Sequence, residues 1–322
     1  MNLSEQIKSM ILSGIVEEQH RKIGVEIESF YYEKGDLNRL ALENNNKYSA
    51  IDLLSDINKI AQANQDTHSY SLEPGGQLEW ASSPSISLWD ILNEYSKNVL
   101  AQKELCVNNA IDIGYFSVEP ISKPLDIVLI NSNKYQLMHN LFKNTGKLGP
   151  WMMRNTASIQ VNIDYTSEED ANEMAYVADA IQPLVSILFS NAPFIQGETV
   201  GTENLRWKIW NDTDSSRCGT LFEHDIRNPK NIINDYVKWL QSRECIFIEN
   251  PAGEFNAFDG DLGSMIATEN NPKLIYSAFR QIFTHVRFKT VLEVRGADRQ
   301  QKGKDIIPVS YTHLTLPTNR EV

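Results

Sequence analysis

Several features that would point to common classes of protein are scarce or missing in this 322-residue sequence. Its three cysteines, Cys106, Cys218 and Cys245, form neither a CxxC pair nor a Cys/His pattern with the spacing of zinc ligands. No stretch approaches the roughly 20 consecutive apolar residues that a membrane-spanning helix needs. Positive charge is also limited, since 30 basic residues face 42 acidic ones and the net charge is −12. We therefore expect reduced thiols, a cytoplasmic location, and neither a membrane nor a nucleic acid as partner.

Strand-like and helix-like hydrophobic patterns follow one another along the chain. Period-two alternation of apolar and polar residues predicts strands, and apolar residues three and four apart predict helices. Ser167 and the Asn-Pro pairs at 228–229 and 271–272 mark helix starts, and Pro183 predicts a kink or a break. The predicted strands are 22–32, 70–81, 113–118, 152–165, 244–249 and 286–295, and the predicted helices are 3–20, 51–64, 86–108, 133–145 and 167 to about 190. This order favours an α+β sheet over a regular βαβ series.

The polar faces of several predicted strands are rich in carboxylate, amide and guanidinium groups. The residues on these faces are Glu26 and Glu28, then Arg154, Gln160 and Asn162, then Glu293 and Arg295, with Glu73 and Glu79 flanking Pro74-Gly75-Gly76. This Pro-Gly-Gly break predicts a turn or bulge, where glycine permits a close approach of the backbone. For any single pair, the solvated face of a one-sided antiparallel sheet is the better explanation. Taken together the set indicates a site, because carboxylates that converge from separate strands repel one another unless cations lie among them. Such oxygen-rich, sulfur-free clusters suit Mg²⁺ or Mn²⁺.

Carboxylates, a divalent metal and arginines together are typical of phosphoryl transfer. The sequence contains neither GxxxxGK[ST] nor GxGxxG. A nucleotide would therefore be held by the sheet and the metal and not by a P-loop.

The segment 205–219 adds two more arginines without clear periodicity. Arg206 and Arg217 lie there among Trp207 and Trp210. One interpretation is a surface loop with buried tryptophans. The other is a substrate loop in which an arginine fork binds a carboxylate or phosphate.

Five motifs in this order resemble the plant and proteobacterial type of glutamate–cysteine ligase (EC 6.3.2.2). They are IGVEIESF at 23–30, SLEPGGQLEW at 71–80, MMRNTASIQVNIDY at 152–165, W-x-x-TD-x-x-R-x-G at 210–219 and VLEVRGAD at 291–298. The resemblance implies a fold like the glutamine synthetase catalytic domain, with an antiparallel, funnel-shaped sheet wrapped by helices. It implies glutamate, cysteine and ATP as substrates, a γ-glutamyl phosphate intermediate, and the first step of glutathione biosynthesis.

The resemblance also implies roles for individual residues. The metal ligands would be Glu26, Glu28, Glu73, Glu79 and Glu293. Gln160, Asn162, Arg206 and Trp207 would bind substrate or nucleotide. The catalytic arginines, which would contact the glutamate carboxylate and the transferring phosphate, would be Arg154, Arg217 and Arg295.

The last 14 residues, VSYTHLTLPTNREV at 309–322, have no counterpart in the resemblance. They resemble a translated sequencing adaptor, and a native disordered tail is the alternative. We expect residues 1–308 to form a catalytic domain that is incomplete at its C-terminus, and 309–322 to be extended and exposed, with Leu314 and Leu316 unpacked.

Two other functions share the same groups. One is a related carboxylate–amine ligase with another amine acceptor, and the other is an inactive fragment or binding module. No pattern in the sequence indicates an oligomeric state.

Overall fold

The computed structural model describes residues 2–44, 46–201, 204–269 and 271–315, with the side chains of the last three left out. Within this part, thirteen strands are found: β1 Ile23–Glu33, β2 Ser69–Leu72, β3 Leu78–Ala81, β4 Ile111–Gly114, β5 Ser158–Ile163, β6 Phe194–Ile195, β7 Glu198–Thr199, β8 Cys218–Gly219, β9 Ile248–Glu249, β10 Phe255–Asn256, β11 Phe283–Thr284, β12 Val286–Phe288 and β13 Leu292–Asp298. Seven of them form one sheet in the order β12-β13-β5-β1-β3-β2, with β4 also paired to β1. All the pairings in this sheet are antiparallel, as expected.

The described residues also form eleven α-helices. They are α1 Leu3–Leu12, α2 Ala50–Ala63, α3 Leu88–Asn109, α4 Asn133–Thr145, α5 Gly149–Asn155, α6 Glu168–Leu188, α7 Leu205–Asn211, α8 Ile232–Gln241, α9 Leu262–Ala267, α10 Pro272–Phe279 and α11 Ile306–Thr315. The predicted starts at Ser167 and at Asn271-Pro272 are confirmed, because both cap side chains accept a backbone hydrogen bond. Among the described helices, none is both long and apolar enough to cross a membrane.

Strand β1 shows how the sheet separates core from site. Its apolar residues Ile23, Val25 and Ile27 are buried in the main core. Successive side chains of a strand point to opposite faces, so Glu26 and Glu28 are directed to the other side. The pairing register places Glu26 opposite Gln160 of β5, and Glu28 opposite Glu79 of β3. The predicted polar face of 22–32 is therefore confirmed.

Two predicted strands are only partly strands. The segment 152–165 begins as helix α5, and its strand starts at Ser158. Pro150 in the first helical turn favours this start. Trp151, Met152 and Met153 are all buried, whereas a strand with one exposed face would bury only every second residue. The segment 286–295 is a hairpin of β12 and β13, closed by a hydrogen bond from Lys289 N to Val291 O of 2.9 Å.

Three helix predictions also need correction. Helix α1 ends at Leu12, whereas the predicted helix runs to residue 20. Two residues after this end, a Cβ on Gly14 would lie 1.7 Å from Thr290 O, so a larger residue does not fit there. Helix α8 begins at Ile232, three residues after the predicted proline start. Helix α6 continues through Pro183 with core residues on both sides of it, so the predicted break is wrong, and a kink there stays a prediction.

The expected extended conformation after Pro308 is wrong up to Thr315. Helix α11 spans this region, and Val309 is fully buried. The Tyr311 ring packs edge-on against Phe189, with centroids 5.4 Å apart. The side chain of Leu314 and all of Leu316 lie outside the described residues, as does segment 316–322, so the origin of 309–322 stays a prediction.

Candidate active site

A cavity of about 370 Å³ lies on the polar side of the large sheet. Its wall contains five carboxylates and five basic side chains that come from distant parts of the chain. The acidic residues are Glu26, Glu28, Glu73, Glu79 and Glu293, and the basic residues are Lys134, Arg280, Arg287, Lys289 and Arg295. All five glutamates predicted from the sequence thus line one cavity, and their role as metal ligands stays a prediction.

Three of the carboxylates form a compact group: Glu28, Glu73 and Glu79. One oxygen of each lies within 4.8 Å of the others. Glu28 and Glu79 are cross-strand partners on β1 and β3. Glu73 is brought back to them by the turn between β2 and β3, where its N–H donates to Gln77 O at 2.8 Å.

Two glycines permit this turn. Gly76 has a φ of +79°, which is strained for residues with a side chain. A Cβ on Gly75 would lie 2.6 Å from the Cα of Arg154, so only glycine allows the turn to pack against helix α5. The predicted close approach at Pro74-Gly75-Gly76 is confirmed.

The electrostatics of this group call for a cation. Burial, followed by repulsion from Glu79, raises the pKa of Glu28 to about 7. Burial and the neighbouring Glu28 raise the pKa of Glu73 to about 7 as well. The pKa of Glu79 is raised well above its usual value by burial and by Glu73. Three partly buried carboxylates that repel one another, with oxygen as the only donor, match the requirements of Mg²⁺ or Mn²⁺.

The remaining predicted carboxylates differ from this group. Glu26 lies beside it and accepts a hydrogen bond of 2.9 Å from Asn162 Nδ2. Glu293 is fully buried and contacts Arg287 Nε at 2.5 Å, Lys289 Nζ at 2.8 Å and Arg295 Nη1 at 3.3 Å. These cations hold the pKa of Glu293 well below its usual range despite its burial. The structure therefore shows Glu293 as the counter-ion of a basic cluster, and its role as a metal ligand stays a prediction.

Gln160 connects the acidic group to the basic cluster. Its Nε2 donates to Glu28 Oε1 at 3.0 Å, and its Oε1 accepts from Arg295 Nη1 at 2.8 Å. Glu28 also accepts from Ser158 N at 2.8 Å. One amide thus fixes the positions of a carboxylate and a guanidinium that are both in the cavity wall.

The cavity lining does not include five other predicted site residues: Arg154, Asn162, Arg206, Trp207 and Arg217. Of these, Asn162 contacts the lining residue Glu26. Arg154 is on helix α5, where Nη1 lies 3.3 Å from His139 Nδ1. Arg217 is 1% exposed and donates to Asp214 Oδ2 at 2.7 Å. The structure does not bring either arginine into the cavity, because α5 and a buried ion pair hold them elsewhere.

Arg206 contacts Arg295 of the basic cluster directly, and Trp207 is connected to Arg295 through His285. Arg206 Nη2 donates to the backbone oxygen of Arg295 at 3.2 Å. The Trp207 ring stacks on His285 with centroids 4.1 Å apart. His285 in turn accepts a backbone hydrogen bond of 2.8 Å from Arg295. The segment 205–219 is thus a helix and turn with buried arginines, and in this structure it does not form an exposed substrate loop.

Four basic residues of the lining were assigned no role from the sequence. The alternation of 286–295 places Arg287 and Lys289 on one face with Glu293 and Arg295, and the β12–β13 hairpin brings them into the lining. Lys134, in the first turn of α4, and Arg280, directly after α10, gave no such signal, since neither lies on a strand of the sheet.

The fold and the cavity together define a class of protein. It is an α+β protein in which an antiparallel sheet presents a partly buried acidic group and a basic cluster to one cavity, an arrangement suited to metal-assisted phosphoryl transfer. The family model described as glutamate–cysteine ligase family 2 matches residues 22–317, and the chain belongs to this family.

Individual relatives agree with this assignment. The chain is 29% identical to glutamate–cysteine ligase A, chloroplastic, of Oryza sativa subsp. indica, with 91% of this chain and 62% of the relative aligned. It is 30% identical to the chloroplastic glutamate–cysteine ligase of Arabidopsis thaliana, over 91% of this chain and 59% of the relative. The chain thus spans about three-fifths of the length of these curated relatives.

One solved structure shows the same fold. It is a glutamate–cysteine ligase from Francisella tularensis in complex with AMP, with a TM-score of 0.50 and 14% sequence identity. The match covers 93% of this chain and 72% of the other. The expected glutamine-synthetase-like architecture is confirmed at the level of the fold.

Proposed function

We propose that this cavity performs the ATP-dependent ligation of cysteine to the γ-carboxylate of glutamate. The observation that carries the proposal is the group of Glu28, Glu73 and Glu79 in one cavity with Arg287, Lys289 and Arg295, in a member of this family. The relatives' names state the same activity for those proteins. The cytoplasm stays the proposed location for this chain, whereas those relatives are named as chloroplastic.

The reaction has two steps. An oxygen of the glutamate γ-carboxylate attacks the terminal phosphorus of ATP, the bond to the bridging oxygen breaks, and ADP leaves. The amine of cysteine then attacks the γ-carbonyl carbon of the mixed anhydride. The carbon–oxygen bond to phosphate breaks, phosphate leaves with the electron pair, and the nitrogen loses a proton.

The chain's own residues have distinct parts in this proposal. Glu28, Glu73 and Glu79 would hold Mg²⁺ or Mn²⁺, which when bound neutralises phosphate charge. Arg295, Arg287 and Lys289 offset the charge that develops on the transferring phosphoryl group. Glu293 keeps these three cations in place, and Gln160 fixes the position of Arg295 relative to Glu28.

The proposal is tested by phosphate release from ATP with glutamate, cysteine and Mg²⁺, and by mass spectrometry of the product. Glu79→Gln removes one carboxylate of the group while keeping its size, and we expect a loss of about 100-fold or more. Glu33→Gln, at the exposed end of β1 where Glu33 pairs with Lys47, is the matched control and should retain its rate.

Three results would contradict the proposal. The first is an unaltered rate in Glu79→Gln, which would remove the acidic group from catalysis. The second is ligation of other amines but not of cysteine, which would assign the chain to a related carboxylate–amine ligase. The third is nucleotide binding without product from any amine.

A further inference from the structure

A buried arginine, Arg39, contacts the turn that carries Glu73. Its Nη2 donates to Gly75 O at 2.9 Å, and its Nη1 donates to Arg154 O at 3.4 Å. Both acceptors are backbone oxygens, and Gly75 lies two residues after Glu73. The guanidinium therefore joins the turn to the end of helix α5.

Arg39 is also held by strand β1. Tyr32 of this strand and Arg39 form an antiparallel bridge, and the guanidinium carbon lies 4.5 Å from the ring centre of Phe30. Side chains two residues apart on a strand point to the same face, so Phe30 and Tyr32 continue the face that presents Glu28. Arg39 thus connects the turn that carries Glu73 with the strand that carries Glu28.

A buried carboxylate compensates the charge of Arg39. Glu119 Oε2 lies 3.3 Å from Arg39 Nη1, and the side chains of Arg39 and Glu119 are 4% and 0% exposed. The same oxygen accepts from the Tyr32 hydroxyl at 2.8 Å. Oε1 accepts from Ile121 N at 3.1 Å and from Ser122 N at 3.2 Å. These contacts hold the ion pair, and with it the guanidinium, in one position.

Glu73 depends on such a contact more than its two neighbours do. Glu28 and Glu79 are fixed by the pairing of β1 with β3, whereas Glu73 lies on the turn between β2 and β3. Repulsion from Glu28 pushes this turn away from β1 unless other contacts oppose it. The hydrogen bond from Arg39 to Gly75 O opposes that movement. The described lining of the acidic cavity does not include Arg39, which lines a second cavity of about 430 Å³ together with Gly75.

We propose that Arg39 is a positioning residue: it holds Glu73 at the acidic group and thereby sets the affinity of this group for a divalent cation. Glu119 is the counter-ion that keeps Arg39 in this role. The inference rests on the proposed function, because it takes the acidic group as the metal site. Arg39 acts through the backbone of the turn, as residues that orient metal ligands from outside do.

The test measures the binding of Mn²⁺ alone to the substrate-free protein, from the decrease in the electron paramagnetic resonance signal of free Mn²⁺. Two variants change the arginine. Arg39→Lys keeps the charge, and Arg39→Met combined with Glu119→Gln removes both charges, so that no unpaired charge is left in the interior. Chemical denaturation in EDTA gives the stability of each variant without metal.

Two further variants serve as controls. Arg299→Met combined with Asp305→Asn removes another buried ion pair, whose carboxylate likewise accepts from a tyrosine hydroxyl, that of Tyr95. Neither Arg299 nor Asp305 is in the described lining of the two cavities. Glu79→Gln removes a carboxylate of the acidic group and shows the loss of affinity that a missing ligand causes.

We expect both Arg39 variants to bind Mn²⁺ about 10-fold or more weakly than the wild type. Lysine keeps a charge for Glu119 but lacks the planar fork that reaches Glu119 and Gly75 O together, so Arg39→Lys should recover stability more than Mn²⁺ affinity. The Arg299 control should lose stability and keep its Mn²⁺ affinity. In the ligation assay, the Mg²⁺ concentration that gives half of the maximal rate should rise by the same factor in both Arg39 variants.

Other outcomes overturn the inference. Wild-type Mn²⁺ affinity in the Arg39 variants, with a loss in Glu79→Gln, would refute only the role of Arg39. Equal losses of affinity in the Arg39 and Arg299 double variants would make the effect a general consequence of removing a buried ion pair. An unchanged affinity in Glu79→Gln would refute the acidic group as the metal site and the inference with it. The expected metal affinities without any ligation product from the wild type would refute only the activity.

Discussion

In the absence of metal, Glu28→Gln should stabilise the protein at pH 8 and not at pH 5. The carboxyl of Glu28 has an ordinary pKa of 4.5 and a pKa of about 7 in the folded chain. The folded state therefore binds more protons than the unfolded state between these values. Stability from this group is fully present below pH 4.5 and is lost as the pH rises through 7.

The magnitude follows from the same two values. A shift from 4.5 to about 7 corresponds to about 3 kcal/mol of destabilisation at pH 8, and to less than about 1 kcal/mol at pH 5. Glutamine at position 28 removes this destabilisation because it carries no charge. Its side chain accepts with only one oxygen, so one of the two hydrogen bonds from Ser158 N and Gln160 Nε2 is lost. That loss costs about 1 kcal/mol. The net expectation is a gain of about 2 kcal/mol at pH 8 and a change near zero at pH 5.

The measurement is chemical denaturation in EDTA at both pH values, with Glu18→Gln as a control because Glu18 is exposed. Adding Mg²⁺ at pH 8 should then stabilise the wild type more than Glu28→Gln, because only the wild type keeps all three carboxylates. A loss of stability at pH 8 in EDTA, or an equal effect at both pH values, would refute the idea that repulsion within this acidic group is uncompensated without a cation.

Two further predictions concern the basic cluster and the turn. Arg295→Lys keeps the charge but loses the planar guanidinium that contacts Gln160 and Glu293. We expect kcat/KM for phosphate release to fall by a factor that corresponds to about 2–4 kcal/mol of lost transition-state stabilisation. A loss below about 0.5 kcal/mol would make Arg295 peripheral. Gly75→Ala would place a Cβ 2.6 Å from Arg154 Cα, so the free energy of unfolding should drop by about 1–3 kcal/mol or more. A Cβ on Gly201 would meet no atom of the described residues within 4 Å, so Gly201→Ala should change the free energy of unfolding little. Equal effects of the two substitutions would contradict the close packing of the turn.

Local patterns were sufficient for the parts of the site that lie on strands. The alternation of 22–32 predicted that Glu26 and Glu28 share a face, and Pro74-Gly75-Gly76 predicted the turn that places Glu73 near Glu79. Alternation is a property of a few consecutive residues, and a strand that is buried on one side expresses it directly. The same rule failed at Arg154, because the preceding proline starts a helix and every residue from Trp151 to Arg154 is buried.

Residue identity also could not distinguish the roles of the carboxylates. Glu28 and Glu293 both lie on the polar face of a strand, yet the pKa of one is raised and that of the other is lowered. The difference arises because Glu28 faces Glu79 across a strand pair, whereas Glu293 faces Arg287 across another.

The family, the α+β class and the glutamates on polar strand faces could all be predicted before folding was considered, since each of these depends on motifs or short-range periodicity. Which side chains share the cavity depends on how distant segments pack. Lys134 and Arg280 are 146 positions apart and lie at the ends of two helices, and Arg217 is turned into the core by Asp214. Distance, burial and charge compensation between segments so far apart are set by packing, and no local pattern encodes them.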